Sequence, residues 1–208
     1  MAAILKTIKV GLQPVNSYLI VCEETGTSAI IDPGADADAI LENARDTKVE
    51  KILLTHGHAN HVSAVDEIKA ATGAPIYLHP ADAKIFSVSY DIPLADGDVI
   101  PVGNLRVKTI HTPGHTPGAT CFDLGDGRVL VGDVLFVGGP GATKNPEAFT
   151  LTLRNLQSFF FTYPDETIFY PGHGSSGRVG NERPAFEDFI RHGWHKDLCG
   201  DVTWTLVQ

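Results

Sequence analysis

The sequence predicts an α/β layered sandwich. Short β-rich runs alternate with helical patterns along all 208 residues, and no linker or low-complexity segment interrupts them. The elements form two similar halves, each a set of strands with helices on the outside. Because this length suits one generous domain, we expect a single domain over residues 1–208, with a short helical tail from about residue 181.

The first half opens with three β-rich runs, which we expect to pair antiparallel because only turn residues separate them; they cover residues 4–10, 17–21 and 28–31. Helical spacing follows over residues 37–45. Residues 51–54 (KILL) predict a buried strand. Apolar residues at 62, 65 and 68 predict a helix over residues 62–71, and residues 76–78 predict another strand.

The second half has the same character. Strands are predicted over residues 105–110, 119–124 and 128–131, with Asp126-Gly127 as the turn between the last two. A helix is predicted over residues 146–160, where Pro146 suits the first turn. A strand over residues 168–170 and a short helix over residues 185–190 complete the predicted elements.

Composition excludes several classes of function. Acidic residues outnumber basic ones 25 to 16, and we find no local basic patch that would bind nucleic acid or an anionic membrane surface. No apolar stretch approaches the length of a membrane span, and the first ten residues lack the features of a secretory signal. We therefore expect a cytoplasmic protein that acts on a small molecule. The oligomeric state stays open, and a homodimer is compatible with the sequence.

Five of the nine histidines fall in loops that directly follow predicted strands. They are His56, His58 and His61 in THGHANH, His115 in TPGHTPG, and His173 in PGHG. Another strand ends in Gly132-Asp133. Loops at strand ends carry the chemistry of α/β folds, and imidazole with carboxylate is the donor set of zinc and iron sites. An aspartate among such histidines is suited to bridge two ions.

In the order and spacing of THGHANH, TPGHTPG, Gly-Asp and PGHG, the chain resembles the metallo-β-lactamase superfamily over nearly its whole length. Within that family it resembles most the glyoxalase II and persulfide dioxygenase group. The resemblance implies a four-layer αββα sandwich with two zinc ions at one edge and hydrolysis through a metal-bound hydroxide. It also implies the ligands: His56, His58 and His115 for the first metal, His61 and His173 for the second, and Asp133 as the bridge.

One position departs from the family pattern HxHxDH, because Asn60 stands where the family has an acid. An amide oxygen coordinates a metal weakly and cannot accept a proton from water as a carboxylate does. We therefore name Asn60, a weakened ligand, and Asp133 as the residues that decide activity, and we expect weak occupancy of the second site and slow turnover. Three explanations fit: an inactivating substitution introduced to trap a substrate, a natural variant with an altered site, or a degenerate member that binds ligand without turnover.

Sequence features also distinguish among the branches of the family. The sequence fits neither an exported β-lactamase nor a basic tRNA-processing enzyme, and it lacks the HxExD pattern of the diiron flavoproteins. Only residues 175–208 follow PGHG, which we expect to be too few for the helical domain with which a full glyoxalase II binds glutathione. The leading prediction is therefore a zinc-dependent hydrolase of a smaller ester, thioester or lactone.

An iron persulfide dioxygenase-like oxidoreductase is the main alternative. For that group the resemblance implies one iron held by two histidines and one aspartate, here His56, His115 and Asp133, with position 60 not a ligand. Against it, the residues after Gly132-Asp133 lack the arginine-bearing glycine loop that both groups are expected to have. A catalytically impaired member that binds a metal or a ligand is the third interpretation.

The remaining candidates are secondary. Asp32, at a strand end, is expected to shape a turn or to support a metal ligand rather than to bind the metal. Structural roles are expected for His79 and His111. Four aromatic residues are expected to pack in the core unless they form an apolar pocket above the metals: Phe86, Tyr90, Phe136 and Phe149. Two residues are expected to be exposed cations unless they steer an anionic substrate: Lys144 and Arg178.

Overall fold

A computed structural model describes residues 3–205 of the chain. Its strands form two six-stranded sheets and one two-stranded ribbon, and helices accompany both large sheets. The predicted α/β sandwich is confirmed.

The first sheet is mixed. Its strands, in spatial order, are β1 (Ala3–Val10), β2 (Val15–Cys22), β3 (Thr27–Ile31), β4 (Lys48–Leu53), β5 (Ile76–Leu78) and β6 (Ile92–Pro93). β1, β2 and β3 pair antiparallel, as the short turns between them predict. From β3 to β6 the neighbouring strands run parallel, so the ends of β3 and β4 meet at one edge of the sheet.

The second sheet carries the other half of the chain. Its strands are β7 (Val99–Val102), β8 (Leu105–His111), β9 (Thr120–Asp123), β10 (Arg128–Gly132), β13 (Ile168–Pro171) and β14 (Gly177–Arg178), in the order β14-β13-β10-β9-β8-β7. β10 and β13 run parallel, which brings the loops after both strands together. In the stretch of chain that connects β10 to β13, β11 (Leu135–Phe136) and β12 (Gly139–Pro140) form the ribbon.

The helices are α1 (Ala37–Ala44), α2 (Ala59–Val62), α3 (Val65–Thr72), α4 (Pro80–Phe86), α5 (Pro146–Ser158) and α6 (Val179–His192). The helix predicted over residues 62–71 is wrong in its start, because Ala64 leaves helical geometry and its N–H donates to the carbonyl of Pro33. The short helix predicted over residues 185–190 is instead a helix of 14 residues that contains Pro184. Proline weakened that sequence pattern, whereas tertiary packing holds the helix: Phe186 stacks on Phe161 and Phe189 on Trp194.

Three buried apolar clusters lie between the four layers, which are helices, the first sheet, the second sheet and helices again. On β2, the Leu19 side chain joins the cluster under α1 and α3, and its neighbour Ile20 joins the cluster between the two sheets, because successive residues of a strand face opposite ways. The third cluster lies between the second sheet and α5 and α6, with Phe149 and Phe189 at its centre. This arrangement confirms the αββα sandwich.

Two further expectations concern the domain organisation and membrane-spanning helices. The single domain with a C-terminal tail stays a prediction; the helix of that tail begins at Val179, and residues 206–208 lie outside the described residues. Within residues 3–205, no helix combines the length and the apolar character needed to cross a membrane.

Candidate metal centre

The six histidine and aspartate side chains among the seven predicted ligands lie together at one edge of the sandwich, where β4, β10 and β13 end. Within each of three groups, the potential ligand atoms are no more than 4.8 Å apart. The groups are His56 with His58 and His115, His61 with Asp133 and His173, and Asp32 with His56 and His61. The fold therefore assembles in space what the sequence spreads over more than a hundred positions.

The carboxylate of Asp133 is the centre of this cluster. Its Oδ2 atom faces the Nε2 atoms of four histidines: His61 at 3.5 Å, His173 at 3.6 Å, His115 at 3.7 Å and His56 at 3.9 Å. These separations are longer than good hydrogen bonds between such groups, which leaves room around Oδ2 for cations. His58 approaches from another side, with its Nδ1 atom 3.0 Å from Nε2 of His115.

Asp32 and Thr55 set the orientation of the two buried imidazoles. Nδ1 of His61 lies 3.0 Å from Oδ2 of Asp32, and Nδ1 of His56 lies 3.0 Å from the Thr55 hydroxyl. Since that hydroxyl donates to Asp32 at 2.6 Å, it accepts from His56. Both rings thus carry a proton on Nδ1 and turn Nε2 toward Asp133. These contacts agree with the supporting role expected for Asp32 from the sequence, and its backbone is left-handed with φ 48°.

Backbone carbonyls orient two of the three remaining rings. Nδ1 of His115 donates to the carbonyl of Ala142 at 2.7 Å, and Nδ1 of His173 donates to the carbonyl of Pro14 at 2.9 Å. In each ring Nε2 is therefore unprotonated and lies on the side that faces the centre. Sequence reasoning missed these two partners because a carbonyl oxygen carries no residue-type signal.

These side chains fit a metal. Three of their polar atoms are buried without a hydrogen-bond partner: Nε2 of His56, Nε2 of His61 and Oδ1 of Asp133. Buried polar atoms without partners are rare, because each costs about 1–3 kcal/mol. Imidazole nitrogens with one carboxylate are the donor set of zinc and iron, so cations at this place account for all three atoms.

The charges of the centre point the same way. Burial, together with the neighbouring histidines, lowers the pKa of His56 well below its ordinary value, which keeps its Nε2 lone pair available. Burial alone would raise the pKa of Asp133, but the close approach of His61 and of the other histidines lowers it, so the carboxylate keeps its charge. For His61, the effect of burial is outweighed by Asp133 and Asp32, which raise the pKa to about 10. In the metal-free centre a proton on His61 therefore offsets part of the negative charge of the two carboxylates.

Asn60 lies at the open side of the centre. It is exposed near the start of α2, and its Nδ2 atom lies 3.1 Å from Nε2 of His173. Since Nδ1 of His173 already donates to Pro14, Nε2 accepts this hydrogen bond from the amide. Asn60 thus contacts one of the two histidines assigned to the second metal.

Asp82 is a buried residue beside the centre that the sequence analysis missed. Its fully buried carboxylate accepts hydrogen bonds from the Gly118 N–H at 2.6 Å, the Thr116 hydroxyl at 2.7 Å and the Gly57 N–H at 2.9 Å. It therefore connects the loop that carries His56 and His58 with the loop that carries His115. The available signal was an acid in the segment HPADA directly after a strand end.

Gly172 lets the loop of His173 close on the centre. A Cβ atom at this position would lie 2.1 Å from Oδ1 of Asp133 and 2.5 Å from Cε1 of His61. Neither side chain can retreat, because both are buried. Only glycine fits, which explains this residue of the PGHG motif.

Comparison with known proteins now decides the family. The family model described as "Metallo-beta-lactamase superfamily" matches residues 10–173, a span that contains every histidine and aspartate of the centre. The chain belongs to the metallo-β-lactamase superfamily. The αββα architecture and the cluster of histidine and aspartate side chains described above are therefore those of a superfamily member.

The relatives and solved structures that this superfamily member resembles are described in different ways. A protein of Aquifex aeolicus described as uncharacterized is 37% identical over 89% of this chain and 96% of its own length. The hydroxyacylglutathione hydrolase GloC of Haemophilus influenzae is 29% identical over 79% of this chain and 88% of its own length. The crystal structure of ETHE1 from Myxococcus xanthus has a TM-score of 0.78 and 29% identity, covering 86% of this chain and 81% of its own. TTHA1623 in a di-iron-bound form has a TM-score of 0.71 and 29% identity, covering 86% and 96%.

A cleft of about 480 Å³ opens beside the centre of this metallo-β-lactamase-fold chain. Three predicted ligands reach its surface: His115, Asp133 and His173. The rest of the lining consists of Phe136, Val137, Ala142, Gly174, Ser175 and Asp201. The volume suits a small organic ligand.

The secondary candidates divide between core, cleft and surface. Phe136 lines the cleft, Phe86 packs edge-on against His58 with ring centroids 4.8 Å apart, Phe149 is in the core, and Tyr90 is exposed. His79 and His111 stack on each other, and their hydrogen bonds to local backbone agree with structural roles. Lys144 and Arg178 are exposed and do not line the cleft.

Proposed function

We propose that this protein is a metal-dependent hydrolase of a small ester, thioester or lactone, with zinc as its metal. One observation carries the proposal: four imidazole Nε2 atoms converge on the Asp133 carboxylate at the wall of a cleft open to solvent. A wholly buried cluster would suit a structural metal, whereas one at a cleft admits a substrate.

In this proposal His56, His58 and His115 hold one metal, His61 and His173 hold the other with Asn60 as a weak ligand, and Asp133 lies between them. When bound, such metals lower the pKa of a coordinated water and polarise the substrate carbonyl. The partners of the Nδ1 atoms fix the rings in advance, so the ligands lose little conformational freedom on binding. Phe136 and Val137 present apolar surface to the substrate.

Asn60 limits the activity that we propose. In the catalytic role that the family gives this position, a carboxylate accepts a proton from water, which an amide cannot do. The Asp133 carboxylate already faces four histidines. We therefore propose slow turnover with a partly filled second site. We propose a small molecule as substrate, action in the cytoplasm and no binding of nucleic acid.

An inventory of bound metal, followed by assays on a panel of esters, thioesters and lactones, tests the function. Purified protein should contain zinc, and His56→Ala should lose metal and hydrolysis together. His195→Ala is the matched control, because His195 is exposed and outside the cluster. Hydrolysis that survives in metal-depleted His56→Ala protein would contradict the proposal.

An iron-dependent oxidation of a persulfide is the second candidate. The observation that favours it is the set His56, His115 and Asp133, which are close together and do not need Asn60. TTHA1623, of the same fold, is described in a di-iron-bound form. Protein produced with added iron should then hold one iron per chain and consume oxygen with a persulfide. That result would replace the hydrolase proposal.

A further inference from the structure

Beyond the metal centre, the C-terminal segment contributes a charged residue to the substrate cleft. Asp201 lines the same cleft as His115, Asp133 and His173, although it lies 28 residues after the last of them. Its carboxylate forms no ion pair with side chains of residues 3–205. It is therefore available to a ligand.

The position of Asp201 is fixed by the residues on both sides of it. Before it, Gly200 and Thr143 exchange two backbone hydrogen bonds of 2.9 and 3.2 Å. After it, Val202 is buried, and Trp204 donates its backbone N–H to Gly138 and its indole N–H to the buried Glu182. Gly138 and Thr143 each adjoin a residue that lines the cleft, Val137 and Ala142 respectively. The C-terminal segment is thus part of the cleft wall, and the hydrogen bonds on both sides of Asp201 hold this residue in place.

The chemistry of the lining favours one kind of substrate. Among the described residues that line the cleft, the apolar ones are Phe136, Val137 and Ala142, and no lysine or arginine is present. Lys144 and Arg178, the two cations that the sequence analysis considered for steering an anionic substrate, do not line the cleft. Apart from the metals proposed above, an anionic group would find no cationic side chain to compensate the Asp201 carboxylate, whereas a protonated amine would gain an ion pair with it.

We propose that the cleft selects acyl substrates that carry an ammonium group, with Asp201 as the specificity-determining residue. This inference rests on the hydrolase proposed above and names its substrate class. The apolar part of the acyl group packs against Phe136 and Val137, and the ammonium group pairs with Asp201. Acyl groups that end in a carboxylate are disfavoured.

Three thioesters of N-acetylcysteamine test the charge preference: the ε-aminocaproyl, caproyl and adipoyl derivatives. They share the thiol and have similar length, so the terminal charge is the main difference. We expect kcat/KM to fall from the cationic through the neutral to the anionic substrate. Asp201→Asn should lower kcat/KM for the cationic substrate about fivefold and leave the neutral one within about twofold, in keeping with an exposed ion pair. Asp201→Lys should favour the anionic substrate over the cationic one.

A binding measurement separates this inference from the hydrolase proposal. Non-hydrolysable thioether analogues of the three substrates are titrated by calorimetry, and their affinities should follow the same order in the parent protein and the reversed order in Asp201→Lys. Asp197→Asn is the control, since Asp197 is exposed on the same segment but outside the lining. If analogues bind in this order but no thioester is cleaved, the hydrolase proposal fails and the specificity stands. Absence of analogue binding, or an order that Asp201→Lys leaves unchanged, overturns the specificity.

Discussion

Nδ2 of Asn60 lies 3.1 Å from Nε2 of His173 and donates a hydrogen bond to the lone pair that a second metal would need. To bind that metal, His173 must give up the amide, and a half-turn of Asn60 offers only an uncharged oxygen in return. This contact supports the prediction, made from the sequence, that the second site is weak.

Asn60→Asp should therefore strengthen the second site. A carboxylate brings a negative charge and a good oxygen ligand to the same place, so metal content should rise from about one toward about two per chain. Hydrolysis should rise about tenfold or more, because the acid also accepts a proton. Metal analysis and steady-state kinetics check both. Asn43→Asp adds the same charge on the exposed face of α1 and should change neither metal content nor hydrolysis. If Asn60→Asp raised neither quantity, the proposed effect of Asn60 on the second site would be wrong.

Asp32→Asn should weaken metal binding without unfolding the chain. Asp32 holds both His61 and, through Thr55, His56 in their orientations, and loss of such a partner costs about 10–100-fold in metal affinity. Competition with a chelator of known affinity measures this. The matched control is Asp36→Asn, because Asp36 has the same left-handed backbone but lies outside the centre. Equal affinities of the two variants would show that Asp32 has no such role.

Asp82→Asn should destabilise the fold and loosen the centre together. The carboxylate accepts three buried hydrogen bonds, and an amide would turn its NH₂ group toward at least one of those donors. We expect a loss of about 3 kcal/mol in the free energy of unfolding, measured by urea denaturation of the metal-free proteins. Asp66→Asn, on the exposed first turn of α3, should stay within about 0.5 kcal/mol of the parent. Parent-like stability of Asp82→Asn would contradict the connection between the two loops.

Cysteine labelling offers a test of burial. Burial raises the pKa of the Cys121 thiol to about 12, so at pH 8 it is un-ionised as well as inaccessible, and the thiolate is the reactive form. Cys22 is also buried, whereas Cys199 is half-buried in the C-terminal segment. An aromatic disulfide reagent should therefore modify about one thiol per native chain and all three after denaturation. Rapid modification of Cys121 in the native protein would show that the core around α5 opens readily.

The sequence by itself determined the elements and the donor set. Strand patterns placed most strands within a few residues, and the motifs THGHANH, TPGHTPG and PGHG named the histidines that the fold assembles. It also exposed Asn60 as the departure from the family pattern. These features are local, because a strand, its end and the loop after it occupy consecutive residues.

Only the tertiary structure decided how those residues are held and what else reaches them. The carbonyl of Pro14 orients His173 from 159 positions away, and Asp82 connects two loops from a third. The C-terminal segment brings Asp201 into the cleft, although no motif marks it. In each case the contact depends on a backbone atom or on chain packing across the sandwich. Such contacts join residues far apart in the chain, so no local pattern carries them.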